Sequence, residues 1–249
     1  MKLLISPAKK MRRDLEFLEP ENLPIFLPKT ERLLGYLRGL SYEELRNLLR
    51  CNDQIAGRSF RQYAEMDLYR GLTPALLAYD GIQYTYMSPG VFTYAELDYI
   101  RRHLRILSGF YGLLRPFDGV APYRLEMQAK LRAPFCESLY DYWGEDIYKG
   151  LTIDDKVLVN LASHEYSRAV ERYLTRDITY ITCRFGRLSG GRFIEKGVHV
   201  KMARGQMVRY LAENQVVEPM GLKGFDRLGY SYNAALSDDC HYFFTDGGE

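Results

Sequence analysis

Apolar positions along this chain follow two spacings, and the predicted elements follow from them. Leu3, Leu4 and Ile5 form a short unbroken apolar run that stops at Ser6-Pro7. Such a run, closed by a proline that bars its predecessor from the helical region, predicts a buried strand ending in a loop. Residues 156–161 read K-V-L-V-N-L, the composition of a central strand covered on both faces. Residues 178–185 give a further strand, and 230–232 and 242–245 read as closing strands. Residues 75–80 and 83–87 are predicted to pair as strands around a turn at Asp80-Gly81.

Helical spacing governs other segments. Ser41-Tyr42-Glu43-Glu44 is a capping box, in which the serine hydroxyl accepts from the Glu44 amide and the Glu44 carboxylate reaches back. Leu45, Leu48 and Leu49 supply the apolar stripe behind it. Asn52 or Asp53 caps another helix running through Phe60 and Tyr63. Thr93-Tyr94-Ala95-Glu96 repeats the box, with Leu97, Ile100 and Leu104 on one face. Residues 200–214 are predicted helical, with Lys201 and Arg204 on one side. From the loop at Ser6 to about Pro28 the chain is polar, proline-bearing and poorly periodic, which predicts irregular structure. Strands and helices interleave without a steady βαβ period. The fold class is therefore mixed α/β (α+β), a mixed sheet flanked by helices, with residues 1–249 forming a single domain.

Composition narrows the class. At 249 residues, 47% hydrophobic and 27% charged, the chain is long and apolar enough to bury a core. No stretch reaches about 18 uninterrupted apolar residues, and the first apolar run is too short for a signal peptide. The expectation is a cytoplasmic protein without membrane association or an obligate protein partner. Cys51, Cys136, Cys183 and Cys240 form no C-x-x-C pair, and the histidines have no H-x-x-x-H spacing. No metal and no cofactor are expected, and free thiols suit a reducing compartment.

Charge changes the picture more. The formal net charge is only +2, so attraction for phosphate requires local clustering. Arg101, Arg102, Arg105, Arg115, Arg124, Lys130 and Arg132 face only Asp118 and Glu126 within their stretch. Arg184, Arg187, Arg192, Lys196, Lys201, Arg204 and Arg209 face Glu195 alone. The balancing carboxylates lie elsewhere, in residues 14–21 and 238–249. Segregation of this kind predicts a positively charged cleft that holds phosphates, with Phe110, Tyr111, Phe117 and Tyr123 available for stacking on unpaired bases. Candidate nucleic-acid contacts are Lys9, Lys10, Arg58, Arg61, Arg115, Tyr123, Arg124, Lys130, Lys201, Arg204 and Arg209. Solvated helix faces account for any single arginine equally well.

A second constellation is Asn160-Leu161-Ala162-Ser163-His164-Glu165-Tyr166, at the end of the strongest strand. Ligands favour the carboxyl ends of strands and the amide groups of helix N-termini. Ser6 and Lys9 hold the analogous place after the first strand. Ser6, Asn160, Ser163, Glu165 and Tyr166 are thus candidates for one pocket, and Lys9, Glu126 and Glu165 for catalysis on a nucleotide or a base. Ser163 serves equally as a helix cap, and ion pairs with Arg124 and Arg168 account for the two glutamates. No nucleophile elbow, Walker loop or G-x-G-x-x-G is present.

Taken in order, several motifs resemble the YaaA family of bacterial peroxide-stress proteins. They are Ile5-Ser6-Pro7-Ala8-Lys9, Leu107-Ser108-Gly109-Phe110-Tyr111-Gly112 with Leu114-Arg115-Pro116, Pro122-Tyr123-Arg124-Leu125-Glu126-Met127, the Asn160–Tyr166 segment and Ala203-Arg204-Gly205. The resemblance runs from residue 5 to the Gly229-Tyr230 region. It implies a cytoplasmic protein that binds double-stranded or structured DNA with little sequence preference. It also implies that the protein limits oxidative damage and is linked to iron and DNA repair. The implied fold carries a positive cleft and a helix-hairpin-helix element, placed at residues 41–66 with Arg58 and Arg61 after the turn. Residues 51–57 lack the usual L-P-G-x-G hairpin. Gln128, Gly81-Ile82-Gln83-Tyr84 and Lys201-Met202 depart from the family pattern.

Overall fold

The apolar runs at residues 3–5 and 157–161 lie side by side at the centre of a sheet. A computed structural model describes residues 1–13 and 18–247. Asp14, Glu16 and Glu249, counted above among the balancing carboxylates, lie outside them. The strands of the main sheet are β1 (Lys2–Ile5), β2 (Leu104–Ser108), β3 (Gly112–Leu114), β4 (Val157–Leu161), β5 (Thr179–Ser189), β6 (Arg192–Ile194), β7 (Tyr230–Tyr232) and β8 (His241–Asp246). Their order is β7-β8-β5-β4-β1-β2-β3, with β6 folded back on β5. From β8 to β2 all neighbours are parallel, and the hairpins at β7, β3 and β6 are antiparallel. Parallel strands need cover on both faces, which is why β1 reads Leu-Leu-Ile without alternation and all three are fully buried.

The helices that frame the sheet and the site include α1 (Leu27–Gly39), α2 (Tyr42–Leu49), α3 (Asp53–Glu65), α4 (Ile82–Met87), α5 (Tyr94–His103), α6 (His164–Glu171) and α7 (Gly197–Glu213). Both capping boxes form, at Ser41/Glu44 and Thr93/Glu96, and Asn52 caps α3 by accepting from the Ile55 amide at 3.0 Å. One apolar core joins the sheet to these helices. No helix among the described residues is long and apolar enough to cross a membrane.

Several expectations are corrected. Residues 75–87 are not a strand hairpin: Ala75–Ala78 is one helical turn, Tyr79–Asp80 pairs with Lys10–Met11, and Ile82–Met87 is α4. Four consecutive buried residues carry no periodicity, so the run at 75–78 does not distinguish helix from strand. In α4 the buried set is Gln83, Tyr84 and Met87, a helical spacing that includes a polar residue. Leu104 leaves the face of α5 and opens β2 instead. The stretch taken as irregular to Pro28 contains the short strand Lys10–Met11, and Pro28 sits in the first turn of α1, where a missing N–H costs nothing. Residues 41–66 do form two successive helices, but Arg50 turns the chain in the left-handed region (φ 45°) and no glycine hairpin joins them.

Two close approaches lock the layers. A Cβ at Gly205 on α7 would lie 2.2 Å from the Gln83 carbonyl oxygen on α4, and one at Gly109 would lie 2.5 Å from that of Leu125. The first presses α7 against α4; the second lays the 123–127 segment across the end of β2.

Substituting Gly205→Ala is expected to cost about 1–3 kcal/mol, because the clash is with backbone. Gly35→Ala, in α1 with open space around it, is expected to stabilise by about 0.5–1 kcal/mol. Urea unfolding of both variants checks the contrast.

Candidate functional site

Because β1 and β4 are adjacent and parallel, the chain leaves both at the same edge of the sheet. Ser6 follows β1 and Ser163 follows β4. The Ser163 amide donates to Ser6 Oγ at 2.8 Å, and Ser6 Oγ donates to Ser163 Oγ at 3.2 Å. Ser163 stands at the cap position of α6, yet its hydroxyl makes no capping bond; it faces Ser6. Asn160, expected in the pocket, is buried below it. Its Oδ1 accepts from the Ala162 amide at 2.9 Å and shapes the exit from β4.

Around this floor stands a cavity of about 340 Å³. One wall is residues 7–10 and another is Asp80 to Tyr84 at the start of α4. The 123–126 segment, Glu165 and Tyr166 of α6, and Lys201 and Arg204 of α7 complete it. Gly81 permits the contact between two of these walls, since a Cβ there would meet the Ala8 methyl at 2.8 Å. A second hollow of about 390 Å³ adjoins through shared Lys9, Arg124 and Glu126, and adds Arg50 and Lys130.

The two carboxylates differ in surroundings. Glu126 Oε1 accepts from Lys9 Nζ at 2.8 Å and Arg124 Nη2 at 3.5 Å. Glu165 has no ion pair among the described residues; it accepts from the Gln128 amide at 3.3 Å. Burial raises the Glu165 pKa first, and the nearby Glu126 raises it further, against the amide bond and Lys9. Arg168, offered as a partner for Glu165, instead lies over the Tyr140 ring at 5.2 Å. Burial also lowers the Arg204 pKa. Gln83 Nε2, Arg124 Nε and Arg204 Nε are buried without hydrogen-bond partners among the described residues, and all three residues line the cavity. The Tyr84 hydroxyl donates to the Ser6 carbonyl at 3.0 Å, and the Tyr123 hydroxyl lies 2.7 Å from Ser108 Oγ and 2.9 Å from the Tyr79 hydroxyl. Burial keeps these phenols neutral, with Tyr123 pushed up to about 12 and Tyr84 and Tyr166 well above 10.

The fold thus brings Ser6, Lys9, Lys10, Tyr123, Arg124, Glu126, Ser163, Glu165, Tyr166, Lys201 and Arg204 to one cavity, with Lys130 on the adjoining hollow. Other candidates lie elsewhere. Arg58 and Arg61 are exposed on α3, off both hollows. Arg115 pairs with buried Asp118 at 2.8 Å and donates to the Leu23 carbonyl, and Arg209 pairs with Glu213 at 2.7 Å. Arg101 and Arg102 both pair with Asp98, and Arg184 with Glu195. Of the two basic stretches, Arg124 and Lys130 from the first and Lys201 and Arg204 from the second reach the hollows. Carboxylates three or four residues along the same helix neutralise Arg101, Arg102 and Arg209. Phe110, Tyr111 and Phe117 are buried in the core, so of the proposed stacking aromatics only Tyr123 reaches the cavity.

Asp80, Ile82, Gln83 and Tyr84 were not anticipated at the site, because a strand hairpin was predicted there. A helical reading of Gln83, Tyr84 and Met87 would have placed Gln83 on an inward face. Three of the four thiols offer little nucleophilicity: burial raises Cys51 and Cys136, and pushes Cys183 up to about 12, while Cys240 is exposed and away from the cavity. No group of three His, Cys, Asp or Glu able to hold a metal occurs among the described residues.

Comparison with known proteins gives a consistent result. The family model described as peroxide stress protein YaaA matches residues 1–236. A UPF0246 protein of Desulfitobacterium hafniense is 57% identical over 245 residues, covering 98% of each chain. UPF0246 proteins of Agathobacter rectalis and Lachnoclostridium phytofermentans are 47% and 48% identical, covering 98% and 99% of this chain and 98% and 97% of theirs.

The raised Glu165 carboxyl has a consequence for stability. The folded state holds this proton more tightly than the unfolded chain, so Glu165 opposes folding increasingly as pH climbs from about 4.5 through its folded value. Glu165→Gln keeps an acceptor for the Gln128 amide and removes the titration. The urea midpoint of the variant is expected to gain on that of the wild type between pH values of about 4.5 and 7. A constant difference across that range would contradict the assignment.

Proposed function

Because the chain belongs to the peroxide stress protein YaaA family, we propose that it acts in the cytoplasmic peroxide response by binding nucleic acid at the mouth of the two joined hollows. Double-stranded or structured DNA is the expected ligand, and coverage of that DNA limits peroxide- and iron-mediated damage. The carrying observation is the convergence of cations from separate parts of the chain on the two hollows. Arg101, Arg102, Arg115, Arg184 and Arg209 each have a carboxylate partner. Lys10, Lys130, Lys201 and Arg204, from separate parts of the chain, have none within ion-pairing distance among the described residues, and all border the hollows. Cations without an ion-pair contact around a concave opening attract phosphate and release its counterions. Contacts of this type position the ligand with little sequence preference.

A second reading is an enzyme acting on a nucleotide or a nucleic-acid base. Two carboxylates in unequal surroundings favour it, Glu126 paired with two cations and Glu165 pushed up by burial. Groups set apart in this way divide acid and base roles.

Gel-shift titrations at low and moderate salt test the first reading. Affinity is expected to fall steeply with salt, and Lys201→Ala or Lys130→Ala should each weaken all DNA sequences alike and reduce the logarithmic salt slope by about 1. Salt-independent binding, or no binding at low salt, contradicts it. Under the second reading, Glu165→Gln abolishes turnover while DNA affinity persists.

A further inference from the structure

The cavity holds more than a phosphate site requires. Cations in its lining account for phosphate, but the same lining holds Tyr84, Tyr123 and Tyr166 with Ile82 and Leu125. The hydroxyls of Tyr84 and Tyr123 are already engaged with Ser6, Ser108 and Tyr79, so these neutral phenols offer flat apolar faces instead of charge. Among these faces stand groups that pair with the edge of a planar polar ring. Gln83 is 7% exposed, lines the cavity, and its Nε2 has no partner among the described residues. An amide of this kind, with both a donor and an acceptor, costs free energy when buried unpaired, so its retention points to a partner supplied from outside. Glu165 stands in the same lining, bonded through the Gln128 amide and with no cation in ion-pair contact among the described residues. Burial favours its protonated form, which can donate as well as accept.

We propose that this cavity receives a single nucleobase together with its phosphate, the ring lying among Tyr84, Tyr123 and Tyr166, its polar edge paired with Gln83 and Glu165, and the phosphate held by Lys201 and Arg204. Deepening the nucleic-acid reading above, it rests on the same cations. A volume of about 340 Å³ is at the lower end of the range for small-ligand cavities and suits one nucleotide, not a stacked run. A base inside an intact duplex cannot reach such a hollow, so the occupant is either a base displaced from its stack or a free nucleotide. In the first case the protein prefers DNA that already contains an unpaired base, because the unstacking cost has been met.

Calorimetric titration of the full chain with deoxynucleoside 5′-monophosphates, deoxyribose 5-phosphate and inorganic phosphate tests the pocket directly. At least one nucleotide is expected to bind one to one and about 10-fold tighter than deoxyribose 5-phosphate, the scale of one stacked and paired base. Gln83→Leu and Glu165→Gln are each expected to shrink that ratio toward one. Equal affinity for nucleotide and sugar phosphate in the wild-type protein overturns the proposal, independently of whether any variant folds. The source is resolved by comparing a paired duplex, the same duplex with one unpaired base, and one with an abasic residue there. Preference for the unpaired base over both controls supports a displaced base. Nucleotide selectivity without that preference supports a free nucleotide. Salt-sensitive duplex binding without nucleotide selectivity overturns the base pocket and leaves the DNA reading standing; absence of all binding overturns both.

Discussion

The parallel pairing of β1 with β4 is the constraint from which the site follows. Leu3 to Ile5 alone gain little by being extended; packed beside residues 157–161 and covered on both faces, they form the middle of the sheet. Parallel register sends both chains out at the same edge, and only then do Ser6 and Ser163, separated by 157 residues, come within hydrogen-bond distance. Antiparallel pairing would have put the two exits at opposite ends of the strands. The loop carrying Lys9 and the helix carrying Glu165 and Tyr166 inherit their positions from this one ladder.

What closes the hollow is contact between backbones. Gly109 admits the segment bearing Tyr123, Arg124 and Glu126; Gly205 admits the helix bearing Lys201 and Arg204; Gly81 admits Ala8. At each place the missing side chain allows a spacing that even a methyl group would forbid. Distances between polar groups at the site, such as the 2.8 Å from Lys9 to Glu126, depend on these approaches. Rigid packing around an opening lets groups be held unpaired, as Gln83 is, since the surrounding contacts outweigh the cost of one unmet hydrogen bond.

Identical residue types have different roles in this protein. Arg115 anchors a turn against buried Asp118, whose carboxyl is pushed up to about 6 by burial despite that partner. Arg209 braces its own helix. Arg204, five residues earlier on the same helix, borders the cavity with a buried and unpaired Nε. Whether an arginine is structural or available to a ligand depends on which carboxylate lies within reach, and local charge counts do not reveal this.

Local chemistry determined much by itself. The capping boxes at Ser41 and Thr93, the cap at Asn52 and the unbroken apolar runs of β1 and β4 act over a few residues, and each formed as read. The expectation that Ser6, Lys9, Glu165 and Tyr166 meet was legible too, because strand ends are marked in the chain. Tertiary structure decided the rest. The helix at Ile82–Met87 hides a polar residue in its buried face, so no periodic signal announces it, and Gln83 gains its meaning only once Gly205 lies against it. The division of fourteen basic residues in the two stretches into paired and unpaired sets depends on distances across the fold. Short-range bonding is written in neighbouring residues, whereas proximity between distant ones exists only after the sheet has formed.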